Sequence, residues 1–315
     1  MTLTEVMVMS EKTKFRLLDC LYVAMMILPF VFCIILKILL TPASEGITVT
    51  GAQVYFTIDM PLQDLPITAS QVNSAAVIVF LLGLCLYMTH GLKVVPDLKR
   101  QLLCEMAVQK AQEFVDGNMG KRFSGFAPFV AAIMALSAFS SLSSLLGLYP
   151  PTSDLNIVAG WAILVFILIT YYKLKGGFVN YAKSFADPIP VFAPFNVISE
   201  IATPVSMAFR HYGNVLSGTV ISVLVAAGLG GLTNILLGWL PGALGEIPFL
   251  QIGIPAVLSL YFDLFSGLLQ AFIFAMLTML YIANGFSEED YQARILKKAQ
   301  RKKAREEAAA LAKKA

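Results

Sequence analysis

Six long apolar runs punctuate the chain: Leu17–Leu40, Val72–Met88, Phe126–Tyr149, Ile157–Tyr172, Phe195–Leu240 and Gly253–Gly285. A helix crosses the hydrocarbon core with roughly 20 apolar residues, so each run predicts one membrane helix. No run alternates with period two, which excludes a membrane β-barrel. The predicted fold class is an all-α polytopic membrane protein with about six membrane helices. The last two runs are too long to stand upright. As single helices they would measure about 69 Å and about 50 Å, against a hydrocarbon core about 30 Å thick. The fifth is interrupted only by Pro204 and by the glycines at 228, 230 and 231. It must tilt, bend or split into two crossings. Splitting would carry the basic tail to the other side, so one strongly tilted or bent element is expected, and the sixth tilts with it. Two inclined helices suit a surface shaped to a curved partner.

The basic residues support that count. All but Lys37 and Arg210 of the 23 Lys and Arg fall before the first run, between the second and third, between the fourth and fifth, or in the tail. With six crossings these segments share one side, which places both termini in the cytoplasm. The opposite loops, 42–71, 150–156 and 241–252, carry no Lys or Arg. Lys37 lies near an outer helix end, where its stem can snorkel to the interface. The first run exceeds the 7–15 residues of a signal-peptide core, so an uncleaved anchor is the expectation.

Arg210 lies mid-span, and its neighbours form a pattern. Glu200, Thr203, Ser206, Arg210, Asn214 and Ser217 recur at steps of three and four, one face of a helix. On the last run, Ser259, Asp263, Ser266 and Gln270 do the same. Each helix therefore presents a polar stripe on an apolar body, and ionisable groups inside a span line a path or form a pair. With the fifth helix running outward and the sixth inward, Glu200 lies toward the cytoplasm and Asp263 toward the outside. A permanent cation between two acids fits two offset half-channels better than a continuous pore, since Arg does not release its proton. A packing role also stays open to Arg210, paired with Glu200, Asp263 or Asp154. Glu200 can equally favour the start of its helix through the dipole.

Composition narrows the classes. The chain is 57% hydrophobic and only 14% charged, where soluble domains carry about 25%. Disordered chains, nucleic-acid binders and ordinary soluble enzymes are excluded. The four cysteines, Cys20, Cys33, Cys85 and Cys104, have no disulfide or zinc spacing, and His90 and His211 cannot build a metal site alone. No phosphate loop is present. Neither a cofactor nor a metal is expected.

The stretch ISEIATPVSMAFRHYGNVLSGTV at Ile198–Val220 resembles the fifth-helix motif of subunit a of F-type ATP synthases, with Arg210, Gly213, Asn214 and Gly218 at matching positions. LLQAFIFAMLTMLYIANGFSEED, containing Gln270, resembles the family's final helix. LLGLYPPTSDLNIVAG, with Pro151, Asp154 and Asn156, resembles the loop before its fourth helix. The three occur in family order over roughly residues 145–290. The sequence also departs from the pattern. His211-Tyr212 replaces the usual Leu-Phe pair. Thr219 stands where many members carry a glutamate, and the acid sits instead at Asp263. Asn196 occupies another frequent glutamate position, while Glu200 matches an acidic position common elsewhere in the family.

The resemblance implies a non-catalytic stator subunit in a bacterial plasma membrane. It would sit beside a rotor ring of c subunits, with peripheral-stalk b subunits, surrounding lipid and, indirectly, the soluble ATPase head as partners. Protons or Na+ would enter past Asp263, neutralise a ring carboxylate, and leave past Glu200. Arg210 would separate the two paths. Gln270, Asn214 and Ser206 would line them, with Asn196, Thr219, His211 and Asp154 as accessories. A histidine in an apolar helix is more often a satisfied polar group than a relay, which is the reading His211 favours here. The expected organisation is a cytoplasmic N-terminus and extra first helix (1–41), an external loop (42–71), the ion-translocating domain (72–286) and a basic cytoplasmic tail (287–315). Ser287 and Asp290 form a possible N-cap pair at the start of that tail, whose charges suit topology and lipid head groups. A self-contained secondary transporter is the competing reading, but it predicts an internal repeat that the sequence does not show.

Overall fold

In a computed structural model, residues 3–41, 51–61, 63–96, 98–186, 189–237, 249–285, 291–292, 295–296 and 299–301 are described. The helices are α1 (Leu3–Leu40), α2 (Ala69–Thr89), α3 (Lys99–Met119), α4 (Ala127–Leu142), α5 (Leu155–Gly176), α6 (Phe178–Ser184), α7 (Ala193–Leu237), α8 (Phe249–Ser259) and α9 (Gly267–Asn284). Six candidate spans are long and apolar enough to cross a membrane: Thr13–Leu40, Ala69–Thr89, Lys121–Leu146, Leu155–Lys175, Pro190–Leu236 and Gly253–Asn284. These correspond to the six runs, and the protein is an all-α, multi-pass membrane protein. The fifth run forms one helix of 45 residues with Pro204 inside it. At 1.5 Å per residue it is about 68 Å long, too long to stand along the bilayer normal.

The end of the bundle at Lys121, Lys173 and Lys175 is termed the basic end, and the opposite one the hairpin end. The second name comes from a two-stranded antiparallel hairpin, β1 (Val54–Ile58) and β2 (Leu65–Thr68), in which Thr57 pairs with Pro66 and Ile58 with Leu65. This hairpin stands in a segment expected only as a loop. Thr68 then caps α2, its N–H donating to Gln71 Oε1 at 3.2 Å. Asp154 caps α5 by accepting from the Asn156 N–H at 3.0 Å. Both caps satisfy amide groups that a helix start leaves open.

The core draws on five helices: Val115 and Met119 from α3, Val130 and Ile133 from α4, Val158 and Val165 from α5, Met207 and Ala208 from α7, and Phe274, Ala275 and Met279 from α9. α4 packs on α9 and α5 on α7, while α1 packs on α2 at the periphery. Much of the outer surface is apolar, with Ile163, Ile167, Leu224 and Ile235 more than half exposed or close to it, as a lipid-facing surface requires. α3 fills the basic stretch between the second and third spans. Its composition carries too many charges for a crossing.

α1 is fastened at both ends. At the basic end the Asp19 carboxylate accepts from Arg100 Nη1 and bonds His90 Nδ1, each at 2.9 Å. The Arg100 guanidinium also lies over the Phe15 and Tyr87 rings, 5.2 and 5.0 Å from their centroids. At the hairpin end Cys33 is buried with Ala76 and Leu148, and Lys37 Nζ donates to the Gly147 carbonyl. Gly147 adopts φ 71, a left-handed turn that ends the helical stretch after α4 and that favours glycine.

The last helix is not uniform. Leu260–Ser266 is π-helical between α8 and α9. A π turn closes i→i+5 bonds, so it carries an extra residue per turn and breaks α-helical phase. The expected loop at 241–252 falls largely outside the described residues. So do the Ser287–Asp290 pair and most of the tail.

Candidate functional site

α7 and the last helix lie side by side, and small residues let them approach closely. A Cβ on Gly218 of α7 would come within 3.0 Å of the Phe262 side chain, while one on Gly267 would come within 2.7 Å of Ser141 Cβ on α4, which packs on the other side of the last helix. Asn214 Nδ2 donates to Ser266 Oγ at 2.8 Å, and that hydroxyl donates back to Asn214 Oδ1 at 3.0 Å. This reciprocal pair pins the middle of α7 to the π-helical segment.

A cavity opens at each end of this helix pair. The hairpin-end cavity, about 370 Å³, is bordered by Asp263 and Ser259 from the last helix, Thr219 and Ser222 from α7, Tyr149, and Lys37 from α1. Ser259 Oγ donates to the Asp263 carboxylate at 2.5 Å. The Thr219 hydroxyl is turned back onto its own helix, bonding the Val215 carbonyl at 3.0 Å. The basic-end cavity is smaller, about 80 Å³, and is lined by Lys173, Glu200, Thr203, Tyr281 and Asn284 among others. Here Lys173 Nζ donates to both Glu200 oxygens at 2.6 and 2.7 Å. Tyr181 adds a longer contact of 3.5 Å. Burial, then the Glu200 charge, push the Tyr181 phenol up, so it remains a donor to the carboxylate. The two cavities share no lining residue.

Arg210 lies between them. Along α7 it is about 15 Å from Glu200 and about 14 Å from Thr219. It is exposed, and among the described residues no hydrogen bond or ion pair reaches it. The pairings open to it in the sequence are taken up otherwise. Glu200 holds Lys173, Asp263 holds Ser259, and Asp154 caps α5 while accepting from Ser70 Oγ. A guanidinium on an apolar helix face demands a polar or anionic counterpart, because hydrocarbon is a costly surrounding for it.

The remaining candidates separate. Ser206 is exposed on α7, on the Arg210 side, and Thr203 faces the basic-end cavity. Asn196 Nδ2 donates to the Phe185 carbonyl at 2.8 Å, which ties the start of α7 to the preceding turn. His211 points the other way from Arg210 and is fully buried. It shares a 3.2 Å hydrogen bond with Ser137 and meets Trp161 and Phe274 edge-on. The single stripe expected on the last helix is divided. Asp263 faces the cavity, Ser266 holds Asn214, and Gln270 is 5% exposed beside Ala271 and Phe274 in the core. The π-helical residues between them break the four–three–four spacing that would have aligned all four.

Two residues at these cavities carry no local sequence signal for the role. Lys173 pairs with Glu200 across 27 positions, and Lys37 reaches Gly147 across 110. The one available hint was the lack of other basic residues near Lys37. Among the described residues no group of three His, Cys, Asp or Glu stands together to hold a metal ion.

Comparison with known proteins bears on the same residues. The family described as "ATP synthase A chain" matches residues 71–283. "ATP synthase subunit a 1" of Crocosphaera subtropica is 31% identical over 202 residues, covering 63% of this chain and 78% of that protein. "ATP synthase subunit a, sodium ion specific" of Propionigenium modestum is 30% identical over 247 residues, covering 72% and 76%. "ATP synthase subunit a" of Acidothermus cellulolyticus is 33% identical over 213 residues, covering 65% and 72%.

Proposed function

The chain belongs to the ATP synthase A chain family, whose members act in the membrane sector, and from that premise we propose that its two cavities are offset half-channels separated by Arg210. The basic end faces the cytoplasm of a bacterial cell, following the positive-inside rule, and both termini lie on that side. The open face of α7 around Arg210 and Ser206 meets a ring of c subunits whose carboxylates supply the missing counterpart. Peripheral-stalk b subunits hold the chain still, and the soluble ATPase head is reached only through them and the ring. The chain performs no ATP chemistry of its own.

An ion, H+ or Na+, enters at the hairpin end past Asp263 and neutralises a ring carboxylate, which can then turn into lipid. On the other side of Arg210 the ion departs through the basic-end cavity past Glu200. Arg210 attracts each deprotonated carboxylate and keeps the two paths from joining. A membrane potential of about 100 mV is worth about 2.3 kcal/mol per charge, and the offset of the paths makes that energy available as rotation. The observation that carries this reading is the placement of an exposed Arg210, unpaired among the described residues, between two cavities that have no lining residue in common.

Substitution of Arg210 tests it. A packing role needs bulk and polarity, which Gln supplies. A barrier role needs a permanent charge, and Lys meets that poorly because it lacks the planar fork. Arg210→Gln and Arg210→Ala are expected to assemble yet lose coupled ATP synthesis by about a hundredfold or more, with Arg210→Lys badly impaired. The Ala variant also becomes passively proton-permeable once the head is stripped from inverted vesicles. Near-normal synthesis by the Gln variant, with subunit content verified by blotting, returns Arg210 to a packing role.

A further inference from the structure

The family match begins at residue 71, yet the hairpin-end cavity is also lined by Lys37, Thr41, Gln53 and Tyr55, all of which precede it. The extra helix α1 and the hairpin are thus built into the wall of that cavity rather than appended to the bundle. Lys37 is held there from several directions. One turn earlier Cys33 is buried against Ala76 and Leu148. One turn later the Gln53 side chain bonds both Thr41 Oγ1 (2.7 Å) and the Leu40 carbonyl (2.8 Å), while the Gln53 carbonyl accepts from the Ala69 N–H at 2.8 Å. The ammonium itself donates to the carbonyl of Gly147. Lys37 also stands in the last turn of α1, where the helix dipole welcomes a cation. A lysine that merely snorkelled would need none of these constraints.

The titratable groups on the cavity wall are Lys37 from α1, Tyr55 from the hairpin, Tyr149 from the turn before α5, and Asp263 from the last helix. Burial pushes both phenols up. The Cys33 side chain adds to this for Tyr55, and Asp154 and Tyr212 add to it for Tyr149. The tyrosines therefore stay neutral, which leaves the Lys37 amine and the Asp263 carboxyl as the wall's two other ionisable groups.

We propose that Lys37 is a specificity-determining residue of this path, whose fixed charge disfavours metal cations in the cavity while leaving proton delivery to Asp263 open. The proposal rests on the reading of the hairpin-end cavity as an ion path. A metal cation must carry its whole charge past the ammonium, and like charges a few ångströms apart in a partly hydrated cavity repel appreciably. A proton has another route. An excess proton from bulk hydronium is relayed along hydrogen-bonded water in the cavity to the Asp263 carboxylate, each donor being left as neutral water, so no compact cation has to rest beside the ammonium. The hydroxyls of Ser259, Thr219 and Ser222 lie along the same wall and can order that water.

The test uses the assembled complex in proteoliposomes. ATP synthesis is driven by an imposed pH difference and potential, while Na+ on the hairpin side is titrated against choline at constant ionic strength. The readout is the Na+ concentration giving half of its effect on the rate, whether that effect is inhibition or stimulation. Lys37→Gln keeps a hydrogen-bond donor for Gly147 without charge, Lys37→Met keeps only the stem, and Lys37→Arg keeps the charge. The Gln and Met variants should both show a half-effect concentration lower by about tenfold, equivalent to ~1.4 kcal/mol, while Arg matches the wild type. A Gln variant that matches the wild type overturns the proposal, whatever Met does, because the Gly147 contact is then all that Lys37 contributes. An Na+ response unchanged, or absent, in every variant overturns it too. Asp263→Asn is run alongside. If that change leaves synthesis untouched the ion path itself is elsewhere, whereas a strong Asp263 effect with Na+-indifferent Lys37 variants removes only the role given to Lys37.

Discussion

Glu200 and Asp263 are both carboxylates at cavities flanking Arg210, but their surroundings differ. Glu200 is chelated by Lys173 through both oxygens, has a tyrosine hydroxyl nearby, and borders a space of about 80 Å³. Asp263 has a serine hydroxyl on one oxygen and borders a space more than four times as large, about 370 Å³. A carboxylate that accepts from an ammonium through both oxygens forms a locally neutralised ion pair. The Asp263 carboxylate is held by a hydroxyl instead, with no ion pair among the described residues. In the proposed half-channels the same functional group is then a paired fixture at one end and the exchangeable group at the other. The difference comes from the neighbouring helix, since α5 delivers a lysine to α7 while nothing described delivers one within bonding distance of Asp263.

The largest effect that would break this contrast is at Asp263. Asp263→Asn should assemble normally and lower ion-driven ATP synthesis by about tenfold or more, measured in vesicles across a range of external pH. An unchanged rate at every pH would show that the exchangeable group is another one. At the opposite end, Lys173→Met strands the Glu200 charge in a half-buried place. It should cost about 1–3 kcal/mol of stability, seen as lower complex yield and earlier thermal dissociation. Adding Glu200→Gln should restore part of that loss, because the stranded charge is then gone. A double mutant no better than Lys173→Met would mean that the pair is not coupled as its geometry indicates. The smallest effect belongs to Ser259→Ala, which removes the hydroxyl on Asp263. Synthesis should fall by less than about fivefold, with the pH profile displaced rather than flattened. A loss as deep as that of Asp263→Asn would make the serine an essential part of the exchangeable site.

Much of this architecture is legible along the chain. The six apolar runs and the long fifth element need only hydropathy and length, and both are present as expected. The α7 stripe is legible because α7 is continuous through Arg210, so the three-and-four spacing holds. On the last helix the same arithmetic fails, since seven residues adopt a wider turn that hydropathy does not register. The hairpin escapes for a related reason: its strands of five and four residues are too short for alternation to emerge. Lys173 and Lys37 look like ordinary flanking cations until distant segments are brought together. His211 is the converse case. Its burial against Trp161 and Phe274 agrees with the satisfied-polar reading at Nε2, while Nδ1 has no partner among the described residues.

The π-helical segment also turns the position of Asp263 into a matter of counting. An α-helix advances about 100° per residue, so a helix that carries one surplus residue presents its two halves rotated by that angle relative to an uninterrupted one. Loss of a single residue other than Asp263 from Leu260–Ser266 lets the segment relax to ordinary helix and swings everything before it away from α7, with no side chain at the cavity removed. An apolar substitution at Leu260 or Leu264 is therefore expected to be milder than a deletion there.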